Sequence, residues 1–316
     1  MMTTLNACIL KPKGPLHLGQ REGMREGTET LVHSDTLFSA LCHSFLLLYG
    51  RAELERFLAA FGSTPPLLIS SAYCHCQDRF YFPVPHNQIP VGKEQKKIRF
   101  VMQSEFEKLL AGKALDEETV QAKLPEGVIT TDDVPRVTVS RLTGTAAEEG
   151  GFYHLGQVWL HNAAFFFLYE VKPEWKEKFE ATVRLMCDEG VGGYRTVGKG
   201  QFYPPEFRQI ELNLPSSADA ELLLSLYYPA EGETARLAEG WYQLIFRRGY
   251  VYSPDNRSWR RKAVGMFAEG SVFPGGNHRG MLVDVTPDRV LLPHPVYRYG
   301  VAFTLPCRFR PERRGE

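Results

Sequence analysis

The order of elements predicts an α+β protein: two ferredoxin-like (RRM-like) domains, the first over residues 1–203 with a Gly-rich loop and a projecting thumb hairpin, the second over 204–316. Three observations carry this. Amphipathic helices and apolar strands alternate as β-α-β-β-α-β, and the order recurs in outline after residue 204. The 316 residues suffice for two cores at roughly 100–200 residues each. Finally, 37 Lys+Arg balance 37 Asp+Glu and 43% of residues are hydrophobic, which excludes a disordered or collagen-like chain.

Taken in order, Asn6 to Lys11 reads as a strand, followed by the Gly- and Pro-containing turn from Lys13 to Gly19. The first helix starts at Ser34, an N-cap residue type, with Asp35 at the positive end of its dipole; Leu37, Phe38, Leu41, Phe45 and Leu48 then repeat at helical spacing up to Gly50. A second helical stretch, Ala52 to Phe61, stops at Gly62 and Pro65-Pro66. Leu67 to Cys74 and Arg79 to Phe82 form a strand pair, and 83–100 an irregular basic connection. Val134 to Ser140 and Phe152 to Leu160 make a hairpin with a small, acidic tip over 143–151, and Ala163 to Val171 is a further strand. Glu174 to Glu189 is an amphipathic helix with Trp175, Phe179, Val183 and Met186 on one side. Beyond it come strands near 207–214 and 221–228, a short helix near 231–239, strands from Tyr242 to Tyr252, a second Gly-rich segment over 265–280, and strands Met281 to Val285 and Tyr299 to Arg308.

The longest apolar run, Ala163 to Tyr169, is far shorter than the roughly 20 residues that span a bilayer, so no membrane contact is expected. The start lacks a basic and apolar secretory leader, which makes the cytoplasm the expected location. Six scattered cysteines fit reduced, buried thiols. Cys74 and Cys76 share a strand face, but zinc wants four convergent ligands, so no metal is expected there. Zero net charge tells against unaided wrapping of long nucleic acid and leaves room for a local basic groove.

The most informative segment is Gly190-Val191-Gly192-Gly193-Tyr194-Arg195-Thr196-Val197-Gly198-Lys199-Gly200-Gln201-Phe202. Gly193 to Lys199 satisfies the phosphate-loop spacing GxxxxGK, yet Gly200 stands where Ser or Thr must hold magnesium, and a helix rather than a strand leads into it. An NTPase is therefore not expected. Two readings remain: a tight connection built on glycine's conformational freedom, or a backbone nest for phosphates with Arg195 and Lys199 as charged contacts and Tyr194 and Phe202 as stacking surfaces. Five glycines interleaved with basic residues exceed what a turn requires and favour the nest.

This helix and loop resemble the Gly-rich loop of RAMP proteins, the RNA-binding subunits of CRISPR effector complexes. Gly14-Pro15-Leu16-His17-Leu18-Gly19 and His33-Ser34-Asp35-Thr36-Leu37-Phe38-Ser39-Ala40-Leu41 are similar to subunit four of the type III-A (Csm) complex. Val139-Ser140-Arg141-Leu142-Thr143-Gly144 with Gly151-Phe152-Tyr153 resembles its thumb, and Glu269-Gly270-Ser271-Val272-Phe273 its second loop. The resemblance implies a non-catalytic subunit, without cofactor, that grips the repeat-derived 5′ tag of crRNA and contacts the large Cas-ten-type subunit and a Csm backbone subunit. Carried over by position, the RNA-binding candidates are His17, Gly19, Arg141, Gly192, Gly193, Tyr194, Arg195, Thr196, Gly198, Lys199, Gly200, Phe202 and Ser271. Ser34 and Asp35 either hold the helix end near RNA or serve as a plain helix cap. The alternative is a metal-independent repeat-processing endoribonuclease using His17 or His33 as acid and base.

Overall fold

The computed structural model describes residues 1–19, 27–88, 90, 92–146, 151–252, 259–288 and 292–309. Its centre is a curled antiparallel sheet assembled from β1 (Met2–Leu10), β2 (Leu67–Ile69), β3 (Tyr73–Cys76), β4 (Arg79–Pro83), β5 (Phe100–Met102), β8 (Ala163–Val171) and β9 (Glu206–Asn213). The order is β5-β4-β3-β8-β1-β9, with β2 also on β8. The helix α1 (Ser34–Ala59) connects β1 to β2, and α4 (Lys176–Glu189) connects β8 to β9.

One face of the sheet, through Cys8, Leu10, Phe165 and Phe167, packs on Phe38, Leu41 and Phe45 of α1 and Phe179, Val183 and Met186 of α4. The other, through Ala7, Ile9, Phe166 and Leu168, packs on Leu222, Leu224, Val272 and Leu305 of the C-terminal half and on Phe106 and Leu109. Burial on both faces explains why Ala163 to Tyr169 is continuously apolar instead of alternating. Phe106 and Leu109 lie on α2 (Gln103–Leu110), which precedes α3 (Glu117–Gln121); both helices are too short to register as a periodic pattern amid charged residues.

The predicted helices from Ser34 and from Ala52 are one element bent at Gly50, whose φ of 78° and ψ of 176° break the helical path. His33, not Ser34, is the N-cap, and its carbonyl accepts the N–H groups of Thr36 and Leu37. The hairpin is present, with β6 (Ile129–Val137) paired to β7 (Phe152–Leu160) from Ile129↔Leu160 to Val137↔Phe152. Its distal part is exposed, including Val137, Leu142 and Phe152, whereas Leu155 and Val158 at its base are buried. Residues 147–150 of the predicted tip lie outside the described residues.

The C-terminal half departs from a second copy of the first. Its strands are β10 (Ala220–Leu223), β11 (Leu244–Arg247), β12 (Val264–Phe267), β13 (Val272–Pro274), β14 (Gly280–Asp284), β15 (Tyr297–Val301) and β16 (Thr304–Cys307), arranged as β13-β10-β16 and two separate pairs, β11-β12 and β14-β15. The helix predicted near 231–239 is a 3-10 helix, Glu233–Glu239, and no α-helix occurs among the described residues of this half. The boundary also moves. Strand β9 lies beyond residue 203 yet pairs with β1 along eight residues, from Met2↔Asn213 to Ile9↔Glu206, so the first sheet closes only near residue 213. No helix among the described residues is long and apolar enough to cross a membrane.

Candidate nucleic-acid interface

The turn 15–19 is held between the Gly-rich loop and the base of the hairpin. Leu16 exchanges backbone hydrogen bonds with Val158 at 2.9 and 2.8 Å. The Gly193 and Gly200 N–H groups donate to the carbonyls of His17 and Pro15, at 2.9 and 3.0 Å. The His17 ring lies 2.7 Å from the Gly156 carbonyl through Nδ1 and meets Tyr194 edge-on at 5.1 Å. Burial pulls the His17 pKa down, which favours the neutral ring. Gly192 and Gly200 have φ of 90° and 73°, and a Cβ would stand 2.4 Å from the His17 carbonyl oxygen at the first and 2.0 Å from that of Val191 at the second. Both contacts are prohibitive, so these glycines secure close backbone approach inside the clasp.

The candidates thus divide. His17, Gly192, Gly193, Tyr194, Arg195, Lys199 and Gly200 come together, with Gly19 beside the His17 ring, but several serve the clasp itself. Lys199, expected as a phosphate contact, is 4% exposed and donates from Nζ to Gln157 Oε1 at the hairpin base; desolvation lowers its pKa, and Arg136 adds to this. Phe202, expected as a stacking surface, is 1% exposed in the core, because its N–H bonds the Cys187 carbonyl and turns the ring inward. The adjacent Tyr203 is exposed, with Lys11 Nζ 5.7 Å from its ring centroid. Gly193 cannot be the open backbone of a nest, since its Cβ position is 2.8 Å from the His17 ring. What faces solvent is the short turn Arg195–Val197, preceded by Tyr194 in the left-handed conformation, together with Gly198. Arg195 is half-buried: Nη1 donates to the Gly190 carbonyl at 3.4 Å, and the guanidinium covers the Tyr252 ring at 4.4 Å. Arg141 is exposed on the hairpin, apart from this cluster.

Ser34, Asp35 and Ser271 are interior residues. Ser34 Oγ accepts the Leu226 N–H at 3.0 Å, and Ser271 Oγ donates to the Ala268 carbonyl at 2.6 Å. Asp35, 1% exposed, receives Arg247 Nε and Nη2, each at 3.0 Å, and Arg298 Nη1. Arg247 Nη1 also reaches Glu29 at 3.2 Å. His33 bonds Glu269 through Nδ1 at 2.8 Å and faces Glu29 through Nε2 at 3.3 Å, while Ser71 Oγ donates to Glu269. Burial disfavours the charged His33 ring, but these carboxylates outweigh it and raise its pKa to about 9. Burial likewise opposes charge on Asp35, and the two guanidiniums override it, holding that carboxyl well below the usual range. Three acids balance three bases, and the network fastens the start of α1 to the C-terminal half. The sequence offered His33 as an acid–base candidate and Asp35 as a helix-end residue, and nothing in it showed that they belong to one buried network. In the same way, burial pushes the Cys74 thiol up to about 12, as befits a core cysteine.

This arrangement of sheet, helices and projecting hairpin shares its fold with solved chains of type III CRISPR complexes. A chain of the Csm3-Csm4 subcomplex of a type III-A CRISPR-Cas interference complex superposes with a TM-score of 0.65 at 21% identity, over 96% of this chain and 99% of that one. One of a Csm1-Csm4 cassette in complex with AMPPNP gives 0.62 at 20%, over 96% of this chain and 98% of that one. One of a type III-B Cmr-beta complex bound to cognate target RNA and AMPPnP gives 0.56 at 12%, over 85% and 86%. Residues 216–307 match the CRISPR Csm4 C-terminal domain, and the CRISPR system protein Csm4 of Methanocaldococcus jannaschii is 25% identical, covering 96% of this chain and 98% of its own length. The C-terminal part thus matches the Csm4 C-terminal domain, and the chain as a whole is similar to a Csm4 protein along nearly its full length.

Proposed function

We propose that this chain is the crRNA-gripping subunit of a type III-A CRISPR (Csm) effector complex, holding the repeat-derived 5′ tag and joining the large Cas-ten-type subunit to the Csm backbone. The observation that carries this is the three-way clasp of turn 15–19, Gly-rich loop and hairpin base, which leaves Arg195, Thr196 and Gly198 at the surface beside a projecting hairpin. The hairpin acts as a thumb, its exposed Leu142 and Phe152 available to contact bases at the tag boundary. Solved proteins of this fold come from complexes with Csm1 or Csm3, which supports the two protein contacts. The order β9-β1-β8-β3, with α1 and α4 as crossovers, supports a ferredoxin-like first domain. Assembly on crRNA places the chain in the cytoplasm.

The histidine geometry supports binding over cleavage. The His17 ring is spent on the Gly156 carbonyl, and His33 is locked between two carboxylates inside the protein, away from any substrate. The test is binding of a tagged single-stranded RNA, compared with a scrambled one, alongside incubation with repeat RNA. Preferential binding with the repeat intact is the expected result. Cleavage abolished by His17→Ala or His33→Ala would establish the endoribonuclease instead.

A further inference from the structure

The aromatic ring beneath Arg195 belongs to the other half of the chain. Tyr252 lies on a segment, 249–252, that runs antiparallel to 259–261: Val251 N–H donates to the Trp259 carbonyl at 2.7 Å, Arg261 N–H to the Gly249 carbonyl at 2.9 Å, and Tyr250 is bridged to Arg260. Side chains alternate along such a segment, so Tyr250 and Tyr252 share a face while Val251 turns inward. Burial follows that alternation, with both tyrosines 43% exposed and Val251 2%. Each tyrosine carries a guanidinium, Arg260 at 5.8 Å from the Tyr250 centroid and Arg195 at 4.4 Å from that of Tyr252. His43 meets Tyr252 edge-on at 5.0 Å.

We propose that Tyr250 and Tyr252 form two base-stacking platforms that continue the RNA path from the Gly-rich loop onto the C-terminal half, with Arg195 and Arg260 supplying phosphate contacts beside them. This rests on the crRNA-binding reading. Residues two apart on an extended segment stand about 6.8 Å apart, roughly twice the 3.4 Å repeat of stacked nucleotides, so bases seated there are unstacked from one another. That spacing suits a single strand and not a duplex. Arginine beside each ring sets positive charge next to a stacking surface, the combination that suits a base with its phosphate and favours RNA over a protein partner at this face.

The experiment titrates the full chain with a fluorescein-labelled single-stranded RNA bearing the repeat-derived tag, at several salt concentrations. Tyr250→Ala and Tyr252→Ala should each weaken binding by about 5- to 150-fold without changing the slope of log affinity against log salt. Tyr250→Phe and Tyr252→Phe should stay within about threefold of the parent, since a phenyl ring still stacks. Arg260→Ala should flatten the slope by about 0.7. Circular dichroism checks folding, and the Phe variants keep the test valid should an Ala variant misfold. Parental affinity in both Ala variants overturns the proposal, and loss of co-purifying subunits in those variants would then mark a protein contact. If Thr196→Asp in the loop abolishes binding while both tyrosine variants bind normally, the loop reading stands and this extension fails. If the parent itself ignores the RNA, both fail.

Discussion

Replacing Asp35 with asparagine should destabilise the whole chain, although no surface group changes. The carboxylate is 1% exposed and accepts three guanidinium N–H groups from Arg247 and Arg298. An amide of the same shape leaves Arg247 with Glu29, at 3.2 Å, as its remaining carboxylate and Arg298 with the neutral Arg248 carbonyl at 3.0 Å. Breaking a buried pair by removing one partner costs about 3–5 kcal/mol, because the remaining charge is desolvated without compensation. With an unfolding entropy of about 2.1 cal/mol/K per residue over 316 residues, that loss lowers the melting temperature by about 5–8 °C if the halves unfold together. Scanning calorimetry of the parent and of Asp35→Asn measures it. Asp35→Asn combined with Arg247→Met and Arg298→Met should recover part of the loss, since the stranded charges go too. A single variant melting within about 1 °C of the parent would refute the network as the fastening between α1 and the C-terminal half.

Three further outcomes follow from the same structure. His33 is bound more strongly in its charged form, with a folded-state pKa of about 9 against about 6.5 unfolded; its contribution is complete below about pH 6.5 and fades as pH rises through 9, by about 3 kcal/mol in all, so His33→Gln should flatten the alkaline decline in a melting series from pH 6 to 10. Gly200→Ala must fit a Cβ 2.0 Å from the Val191 carbonyl oxygen at a φ of 73°, and chemical denaturation should show a loss of at least about 2 kcal/mol. Phe152→Ala at the exposed part of the thumb should leave the melting temperature unchanged while altering the reactivity of RNA bases at the tag boundary, seen by chemical probing.

The first half of the fold was legible because its signals are local. Leu37, Phe38, Leu41 and Phe45 repeat at helical spacing, and the apolar strand Ala163 to Tyr169 sits between two layers. The second half was misjudged where sequence carries little period: Glu233–Glu239 winds as a 3-10 helix, and β9 joins the sheet of the preceding half through strand pairing that no local pattern encodes. The Gly-rich segment was legible as a loop, but the inward or outward course of its side chains was not. Glycine spacing marked the loop, yet whether Lys199 and Phe202 point outward depends on Gln157 and Cys187, 42 and 15 residues away. Tyr252 was read only as part of a strand, and its one sequence signal was the alternation Tyr250-Val251-Tyr252.

The most direct test of the RNA grip is the salt dependence of tag-RNA affinity in Arg195→Ala, the loop cation left half-exposed beside the Tyr252 ring. The account predicts weaker binding and a slope of log affinity against log salt reduced by about 0.7, one phosphate contact on a single strand. Affinity and slope both equal to those of the parent would contradict it and leave the Gly-rich segment as a connection between α4 and β9.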